Sequence, residues 1–117
     1  MNIISWNVRG LGNTRTFHEL KNILQKYRPR ILFLCETKLR PGQMVDSGKR
    51  LGFDNCFSVS REGMGGGLAM LWNEDLELET TSYNNHHIDT IVRGIDGRQW
   101  KCTGIYRHPE AGQKRHT

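Results

Sequence analysis

The sequence predicts an α/β fold: one βαβ unit followed by an antiparallel meander of strands. Two mainly apolar runs, residues 3–7 and 30–35, flank a segment whose apolar residues recur at helical spacing. Two strands joined through a helix form a crossover, and a crossover requires the strands to be parallel. Most later runs alternate apolar and polar residues, which is typical of strands with one buried face.

The βαβ unit opens with a strand at residues 3–7 and a turn at residues 10–13, where two glycines permit a sharp change of direction. A capping box at residues 16–19 predicts the start of the helix. The helix then buries one stripe of side chains: Phe17, Leu20, Ile23, Leu24 and Tyr27. Arg28 precedes Pro29 and so ends the helix, since the residue before a proline avoids the α region.

The second half of the chain is predicted to be mostly strands. Residues 39–52 contain Pro41, further glycines and few apolar residues, which predicts a loop with one short helix near residues 45–51. Glycine-rich residues 63–67 predict a flexible joint, and Asp96-Gly97 is a strong hairpin signal. The strands of the meander are predicted at residues 55–60, 68–72, 76–83, 87–93 and 99–106.

Length and charge narrow the class of protein. The 117 residues allow one domain with a modest core. Lys and Arg number 17 and Asp and Glu number 12, which gives a net charge of +5 and a pI near 9.4 and favours polyanionic partners. The positive charges lie in short groups, at residues 26–30, 49–50 and 114–116. A solvated helix face and tail explain these groups as well as a phosphate-binding surface does.

The cysteines indicate neither a disulfide framework nor a zinc site, because they are widely spaced and form no Cys-x-x-Cys pair: Cys35, Cys56 and Cys102. Reduced, buried thiols are expected. Polar residues interrupt the apolar run at the amino terminus, and no later run approaches the ~18 apolar residues of a membrane span. A soluble intracellular protein is therefore expected.

Polar residues end both strands of the βαβ unit: Asn7 closes the first strand and Glu36 follows the second. Because the carboxyl ends of parallel strands meet at one edge of a sheet, we expect these two side chains to emerge side by side. This is the edge at which α/β proteins usually place their chemistry. The alternatives are that Asn7 only starts a turn and that Glu36 is an ordinary surface acid.

Three motifs stand in order along the chain: SWNVRGLG at residues 5–12, LFLCETK at residues 32–38 and GGLAMLW at residues 66–72. Together they resemble the endonuclease/exonuclease/phosphatase superfamily, which has the fold of DNase I and of the class II abasic-site endonucleases. The resemblance is closest to the endonucleases of plant non-LTR retrotransposons. Shorter matches extend it over nearly the whole chain, at residues 50–53, 87–89, 104–106 and 108–110.

The resemblance implies a partial four-layered α/β sandwich. Residues 1–117 would form the N-terminal part of one domain, truncated after the tyrosine motif, and the other half of the domain would contribute the facing sheet. Leu68, Met70 and Trp72 would then lie on an uncovered apolar sheet face, which marks an interface or an aggregation liability. Self-association through this face is therefore expected.

The resemblance also implies metal-assisted cleavage of phosphodiester bonds, with Mg²⁺ or Mn²⁺ as the cofactor. Glu36 is similar to the family's metal-binding carboxylate, and Asn7 is similar to its active-site asparagine and is the second expected metal contact. Tyr106 matches the tyrosine that hydrogen-bonds the scissile phosphate, although a half-buried aromatic at a strand end is the alternative. Asn7, Glu36 and Tyr106 are thus the expected catalytic residues.

Three cations are expected to bind phosphate or nucleic acid by the same resemblance. Arg9 and Lys38 follow the two strand ends, and Arg107 follows Tyr106 where plant relatives usually carry glycine. Arg9 can pair bidentately with a phosphate, or it can be exposed to solvent. The implied partner is DNA rather than a membrane, and nuclear residence suits such a nuclease.

Two motifs of the family are missing. In the family an Asp-x-Asn pair and a terminal Asp-His pair follow the tyrosine motif, whereas residues 107–117 contain no aspartate. The expected function is a Mg²⁺-dependent DNA endonuclease-type domain fragment of retrotransposon ancestry that is catalytically incomplete. The alternatives are an inactive remnant with salt-sensitive, non-specific nucleic-acid binding, or a phosphoesterase that acts on a non-nucleic-acid phosphodiester.

Overall fold

The computed structural model describes residues 3–59 and 67–106 of the chain. In chain order their elements are β1 (Ile3–Asn7), α1 (Thr14–Tyr27), β2 (Ile31–Cys35), α2 (Pro41–Arg50), β3 (Asn55–Val59), β4 (Leu68–Trp72), β5 (Glu77–Tyr83), β6 (His87–Arg93) and β7 (Gln99–Ile105). The predicted strands are all present, with ends that agree within one residue. Of the predicted glycine-rich joint, only Gly67 lies among the described residues.

The strands form two sheets. In the first sheet the order is β1-β2-β4-β3; β1 and β2 are parallel, as the predicted crossover requires, and β4 is antiparallel to both of its neighbours. The second sheet is the antiparallel meander β5-β6-β7. The prediction of one continuous meander is therefore corrected. Strands β3 and β4 extend the first sheet, where the apolar run of β4 is covered on both faces.

Helix α1 is capped by Asn13 rather than by Thr16. The Asn13 side-chain oxygen accepts hydrogen bonds from the backbone N–H of Arg15 at 2.9 Å and of Thr16 at 3.3 Å. These bonds satisfy donors that the start of a helix leaves open. Thr16 therefore lies inside the helix, and the predicted capping box is wrong. The helix ends at Tyr27, as the following proline predicted, with Arg28 in the left-handed conformation.

Helix α2 is longer than the short helix that the sequence predicts, since it begins at Pro41 and ends at Arg50. A proline fits the first turn of a helix, where its fixed φ is suitable and its missing N–H is not needed. The Gln43 side chain accepts a hydrogen bond from the backbone N–H of Arg40 at 3.0 Å and so supports this start. Neither helix described in residues 3–59 and 67–106 is long and apolar enough to cross a membrane.

The first sheet is covered by the helices on one face and by the second sheet on the other. The core beneath the helices includes Phe17, Leu20, Leu24, Leu32, Leu34, Met44, Ala69 and Leu71. The core between the sheets includes Ile31, Phe33, Cys35, Leu68, Met70, Ile88 and Val92. Leu68 and Met70 are 1% and 0% exposed, so the expected uncovered face is wrong for both. Trp72, the third residue of that face, is half-buried against the same core. Self-association of the chain stays a prediction.

Two contacts fix how the sheets face each other. Phe57 in β3 packs edge-on against Tyr83 in β5, with 5.2 Å between the ring centroids. A Cβ atom added to Gly104 in β7 would overlap the ring of Phe33 in β2. Strand register places Phe57 and Phe33 in one row of the first sheet, and Tyr83 and Gly104 in one row of the second. Strands β5, β6 and β7 therefore lie over β3, β4 and β2, and none of the described strands lies over β1.

Candidate active site

Polar side chains gather where β1 and β2 end, at the carboxyl edge of the parallel pair. The two chain segments stay hydrogen-bonded beyond the strands through three backbone bonds: Val8 N–H to the Cys35 carbonyl at 3.0 Å, Gly10 N–H to the Glu36 carbonyl at 2.7 Å, and Leu11 N–H to the Thr37 carbonyl at 3.0 Å. Backbone groups therefore hold the two loops together. The side chains that these loops carry have fixed starting points.

Asn7 donates a hydrogen bond directly to Glu36. Its Nδ2 donates to Oε2 of the carboxylate, and its Oδ1 accepts from the backbone N–H of Arg9 at 3.2 Å. Because one end of the amide donates and the other accepts, the two bonds together fix its orientation. The Glu36 side chain is half-buried, whereas Asn7 is exposed. The expectation that these two residues meet at one sheet edge is confirmed.

Three residues that carry side chains have left-handed backbone conformations at this edge: Arg9 with φ 49°, Glu36 with φ 53° and Lys38 with φ 55°. Each such conformation costs about 1–3 kcal/mol and persists only where the surrounding structure enforces it. Strained residues of this kind tend to gather at binding and catalytic sites. All three are residues for which the family resemblance implies metal or phosphate binding, so the backbone conformation marks the same place independently.

Two of the three predicted phosphate-binding cations lie at this edge. Arg9 and Lys38 are both exposed. A Cβ atom added to Gly10 would lie 3.6 Å from Lys38 Cδ, so the aliphatic part of the lysine passes beside the turn after β1. Arg107 lies outside the described residues. Phosphate binding by these cations stays a prediction.

Tyr106 lies at the same end of the sandwich as Glu36. Its backbone N–H donates to the His86 carbonyl at 2.7 Å, and its half-buried side chain packs against the core between the sheets, which includes Cys35. The turn from β4 to β5 connects the two sheets at the end of the sandwich that is opposite to Glu36. Since Gly104 lies over the middle of β2, the chain runs from Gly104 to Tyr106 towards the end where Glu36 follows β2.

The thiol beneath the site is unsuited to act as a nucleophile. Cys35 is 5% exposed; burial raises its pKa to about 11, and the neighbouring Glu36 carboxylate adds to the rise. Burial also raises the pKa of Cys56 to about 11. Thiols react as thiolates, so both groups stay protonated and unreactive near neutral pH. Together with Cys102 they are free cysteines, as the sequence predicts. Only Cys35 is buried; Cys56 and Cys102 are half-buried, so the expectation of buried thiols is wrong for these two.

The donor set suits an ion of the magnesium type that keeps most of its water. Among the residues that the structure describes, no group of three or more His, Cys, Asp or Glu side chains is arranged so that it could hold a metal ion. Mg²⁺ commonly takes one or two carboxylates, with waters and substrate phosphate oxygens as its other ligands. A single carboxylate such as Glu36 would therefore suffice as the protein ligand of an open site of this kind. Asn7 Oδ1 already accepts from Arg9, so the present arrangement favours Asn7 as a residue that orients the carboxylate.

Two further residues lie at this edge for which the sequence predicts no role, Thr37 and Gly67. Thr37 is only 2% exposed although it stands between Glu36 and Lys38. Its backbone N–H donates to the Gly67 carbonyl at 3.2 Å. The residue before β4 is therefore hydrogen-bonded to the segment that follows β2. The available signal is a threonine directly after the glutamate of one motif and a glycine directly before the buried strand of the next. Neither residue reveals its partner through local periodicity.

A second polar cluster lies on the outer face of the second sheet. Asp89 accepts hydrogen bonds from Ser82 Oγ at 2.7 Å and from Thr103 Oγ1 at 2.8 Å, and His87 Nε2 lies 3.5 Å from the same carboxylate. The hydrogen bonds, that of Ser82 first, lower the pKa of Asp89. These partners come from three adjacent strands, which is ordinary cross-strand pairing on a solvent-exposed face. The cluster stands apart from the Asn7–Glu36 edge.

Residues 4–116 match the model of the Endonuclease/Exonuclease/phosphatase family. Among solved structures, the chain is similar to the human Nocturnin catalytic domain with bound sulfate anion, at 16% identity and a TM-score of 0.71. It is also similar to the 3′ phosphatase NExo from Neisseria bound to product DNA hairpin, at 18% and 0.60, and to an AP endonuclease from Archaeoglobus fulgidus, at 21% and 0.54. No curated protein matches the sequence.

The solved structures bear on the fold. The alignments cover 96%, 91% and 77% of this chain, but only 51%, 41% and 36% of those proteins. The chain thus spans about half or less of the length of the structures it resembles. This chain's mixed architecture of two sheets and few helices, which these structures match, confirms the predicted α/β fold class of the DNase I-like type.

Proposed function

The chain belongs to the endonuclease/exonuclease/phosphatase family, and we propose that it is a Mg²⁺- or Mn²⁺-dependent phosphodiesterase that acts on DNA. We further propose that it has retrotransposon ancestry and holds an incomplete catalytic set. The observation that carries the proposal is the hydrogen bond from Asn7 to Glu36 where the parallel strands end. It places an oriented carboxylate at an open sheet edge. Such a carboxylate is the anchor that a hydrated divalent cation needs beside a phosphate.

Glu36 is the residue that would hold the cation, and Asn7 would keep the carboxylate in place. The Asn7 amide donates to one carboxylate oxygen, so the other oxygen is available to the ion. A bound Mg²⁺ supplies positive charge that polarises a phosphoryl oxygen and lowers the pKa of coordinated water. The left-handed conformation of Glu36, with φ 53°, supports a functional role because strain of this kind is otherwise selected against.

Arg9, Lys38 and Tyr106 are the groups that would contact the phosphate. Arg9 and Lys38 are exposed cations, each two residues after one partner of the Asn7–Glu36 bond. A guanidinium can bind a phosphate through two parallel hydrogen bonds. Tyr106 lies at the same end of the sandwich, where a phenol can donate to a non-bridging oxygen. The sulfate bound to Nocturnin and the product DNA bound to NExo support an anionic, nucleic-acid-like ligand for this fold.

The catalytic set of this chain is proposed to be incomplete. In the family resemblance, the residues that position the attacking water and stabilise the leaving group lie in Asp-x-Asn and Asp-His motifs, and residues 107–117 contain no aspartate. A general base needs geometry as well as a suitable pKa, and the outer-face cluster around Asp89 does not replace it. We therefore expect cation and phosphate binding to exceed turnover by these 117 residues.

A second candidate function is nucleic-acid binding without turnover. The net charge of +5 and the exposed cations beside the site favour it: Arg9, Lys38 and Arg40. Binding of this kind is independent of the DNA sequence. It weakens as the salt concentration rises, because binding releases counterions from the phosphates. Hydrolysis of a soluble, non-nucleic-acid phosphodiester is a third candidate, because fold alone does not choose a substrate. DNA as the partner would suit residence in the nucleus.

A plasmid-nicking assay with Mg²⁺ tests the proposal. The purified chain is compared with Glu36→Gln and with the matched control Glu74→Gln, an exposed glutamate in the turn at the opposite end of the sandwich. The expected result is slow, EDTA-sensitive nicking that Glu36→Gln abolishes and Glu74→Gln preserves. Nicking that survives Glu36→Gln would contradict the assignment of the site.

The same preparations separate the alternatives. Retention of DNA that fades with salt, without nicking, would favour the second candidate. Hydrolysis of a soluble phosphodiester such as bis(p-nitrophenyl) phosphate without DNA cleavage would favour the third. Glu36 is half-buried and Glu74 is exposed, so we expect both variants to fold.

A further inference from the structure

We propose that Thr37 and Gly67 form a positioning pair that holds Glu36 in its left-handed conformation and so sets the direction of its carboxylate. The inference rests on the proposed function in one respect, namely that Glu36 is the residue that holds the cation. It adds two residues that do not themselves touch the cation or the phosphate. Thr37 directly follows Glu36, and Gly67 directly precedes the first residue of β4.

The first support is the close packing of the pair. Thr37 is 2% exposed, and a Cβ atom added to Gly67 would lie 2.6 Å from Thr37 Oγ1. A short, buried side chain cannot swing aside to relieve such an approach, so only glycine fits at this position. Gly67 also has φ +101°, a backbone conformation that residues with a Cβ rarely adopt. The position therefore requires glycine for two independent reasons.

The second support is the backbone bonding around Thr37. Its N–H donates to the Gly67 carbonyl at 3.2 Å, and its own carbonyl accepts from Leu11 N–H at 3.0 Å. Thr37 is thus held on one side by the start of β4 and on the other by the loop after β1. Its two neighbours, Glu36 and Lys38, both have positive φ values of 53° and 55°. Because Thr37 is fixed between these two left-handed residues, it determines the direction in which the side chains of Glu36 and Lys38 leave the backbone.

The consequence is that the carboxylate direction depends on the residue before β4 as well as on Asn7. If the Gly67 backbone moves away from Thr37, the φ of Glu36 is free to return to the ordinary right-handed or extended region. The Oε2 atom would then leave Asn7 Nδ2. Residues that orient a ligand in this way typically change metal affinity about 10–100-fold when they are altered.

The test uses NMR of the isotope-labelled chain, with Gly67→Ala as the principal variant. The Hα–HN coupling and the Cβ chemical shift of Glu36 report its φ, and paramagnetic broadening by Mn²⁺ reports cation binding at the same amide. The matched control is Gly97→Ala. Gly97 also has positive φ, +82°, but a Cβ atom there meets nothing within 4 Å, so the control carries backbone strain without the clash.

We expect Gly67→Ala to remove the left-handed signature of Glu36 and to weaken Mn²⁺ broadening there at least about tenfold. Gly97→Ala should change neither. Retention of the left-handed Glu36 signature in folded Gly67→Ala would overturn the inference. Failure of the unsubstituted chain to bind Mn²⁺ at Glu36 would contradict the proposed function alone, because the φ of Glu36 is measured without the cation.

A second variant covers the case in which Gly67→Ala does not fold. Thr37→Ala removes the packing partner without a clash, and it should likewise loosen Glu36 and reduce Mn²⁺ broadening. Its matched control is Thr90→Ala, another threonine that is 2% exposed but lies in the second sheet, where its hydroxyl donates to the Cys102 carbonyl at 2.8 Å. An unchanged Glu36 signature in Thr37→Ala would overturn the inference as decisively.

Discussion

The backbone of Gly104 lies directly against the ring of Phe33. This contact fixes how closely β7, the strand that leads to Tyr106, approaches β2 in the other sheet. Phe33 is 2% exposed and is surrounded by the core between the sheets. There is no room for a methyl group between the strand and the ring. Glycine at this position therefore permits β7 to lie over β2.

Gly104→Ala is expected to lower the free energy of unfolding by about 1–3 kcal/mol, because overpacking of a buried contact forces side chains or backbone to move. Urea denaturation followed by tryptophan fluorescence measures the change. Phe33→Leu should be less harmful in the Gly104→Ala background than alone, since the smaller side chain leaves space for the methyl group. Additive effects of the two substitutions would contradict the contact.

Two glycines of helix α2 are expected to respond in opposite directions to alanine. A Cβ atom at Gly42 meets nothing within 4 Å, so Gly42→Ala should raise the free energy of unfolding by about 0.5–1 kcal/mol. A Cβ atom at Gly48 would lie 2.9 Å from Cδ2 of the fully buried Leu71. Gly48→Ala should therefore be destabilising, because overpacking outweighs the gain in helix propensity. Equal effects at the two sites would argue against the packing of α2 on the first sheet.

The buried thiols predict a loss of stability in alkali. Burial raises the pKa of Cys35 from the ordinary 9.0 to about 11, and the Glu36 carboxylate contributes. Between these values the unfolded chain releases the proton and the folded chain keeps it, so stability falls as pH rises from about 9 to about 11 and is fully retained below about 9. Urea denaturation at pH 8 and pH 10 should show a smaller loss for Cys35→Ala than for the unsubstituted chain. An identical loss in both would contradict the raised pKa.

Removal of the Asn7 amide is expected to weaken cation binding at Glu36 about tenfold, because the carboxylate loses the bond that orients it. Mn²⁺ broadening of the Glu36 amide in Asn7→Ala measures this. The control is Ser5→Ala, an exposed residue on the same face of β1. Equal Mn²⁺ affinity in both variants would mean that Asn7 is not needed to hold the carboxylate.

Arg9 and Lys38 are expected to contribute to the salt dependence of DNA binding. Each cation that contacts a phosphate adds about 0.9 to the slope of log affinity against log salt, so Arg9→Gln with Lys38→Gln should reduce the slope by about 2. Fluorescence anisotropy of a labelled duplex over a range of salt concentrations gives the slope. A matched double variant, Arg15→Gln with Lys26→Gln, removes the same charge from helix α1. Equal slopes for the two double variants would place the DNA contact elsewhere.

Local sequence patterns predicted the elements better than their partners. The parallel pairing of β1 and β2 follows from one crossover helix, and this was correct. The pairing of β2 with β4 joins segments more than thirty residues apart, and hydrophobic periodicity carries no information about such partners. The burial of Leu68 and Met70 against the second sheet was missed for the same reason.

The candidate site shows the same division. The meeting of Asn7 and Glu36 could be predicted because the carboxyl ends of parallel strands share an edge. The burial of Thr37 and the left-handed conformation of Glu36 could not, because they depend on backbone bonds from Leu11 and to Gly67. Conformations of this kind are imposed by tertiary structure against local preference.

The backbone bonds from Gly10 and Leu11 to residues 36 and 37 hold the two loops of this corner together without any ligand. The ordering entropy of the corner is lost when the chain folds, so a ligand that arrives later meets groups already in place. Affinity at such a preorganised corner depends on how well the ligand matches a fixed geometry. We therefore expect a diamagnetic cation such as Mg²⁺ to change the amide chemical shifts of residues 10–11 and 36–37 only slightly. A loop that closes over the ligand would change them strongly.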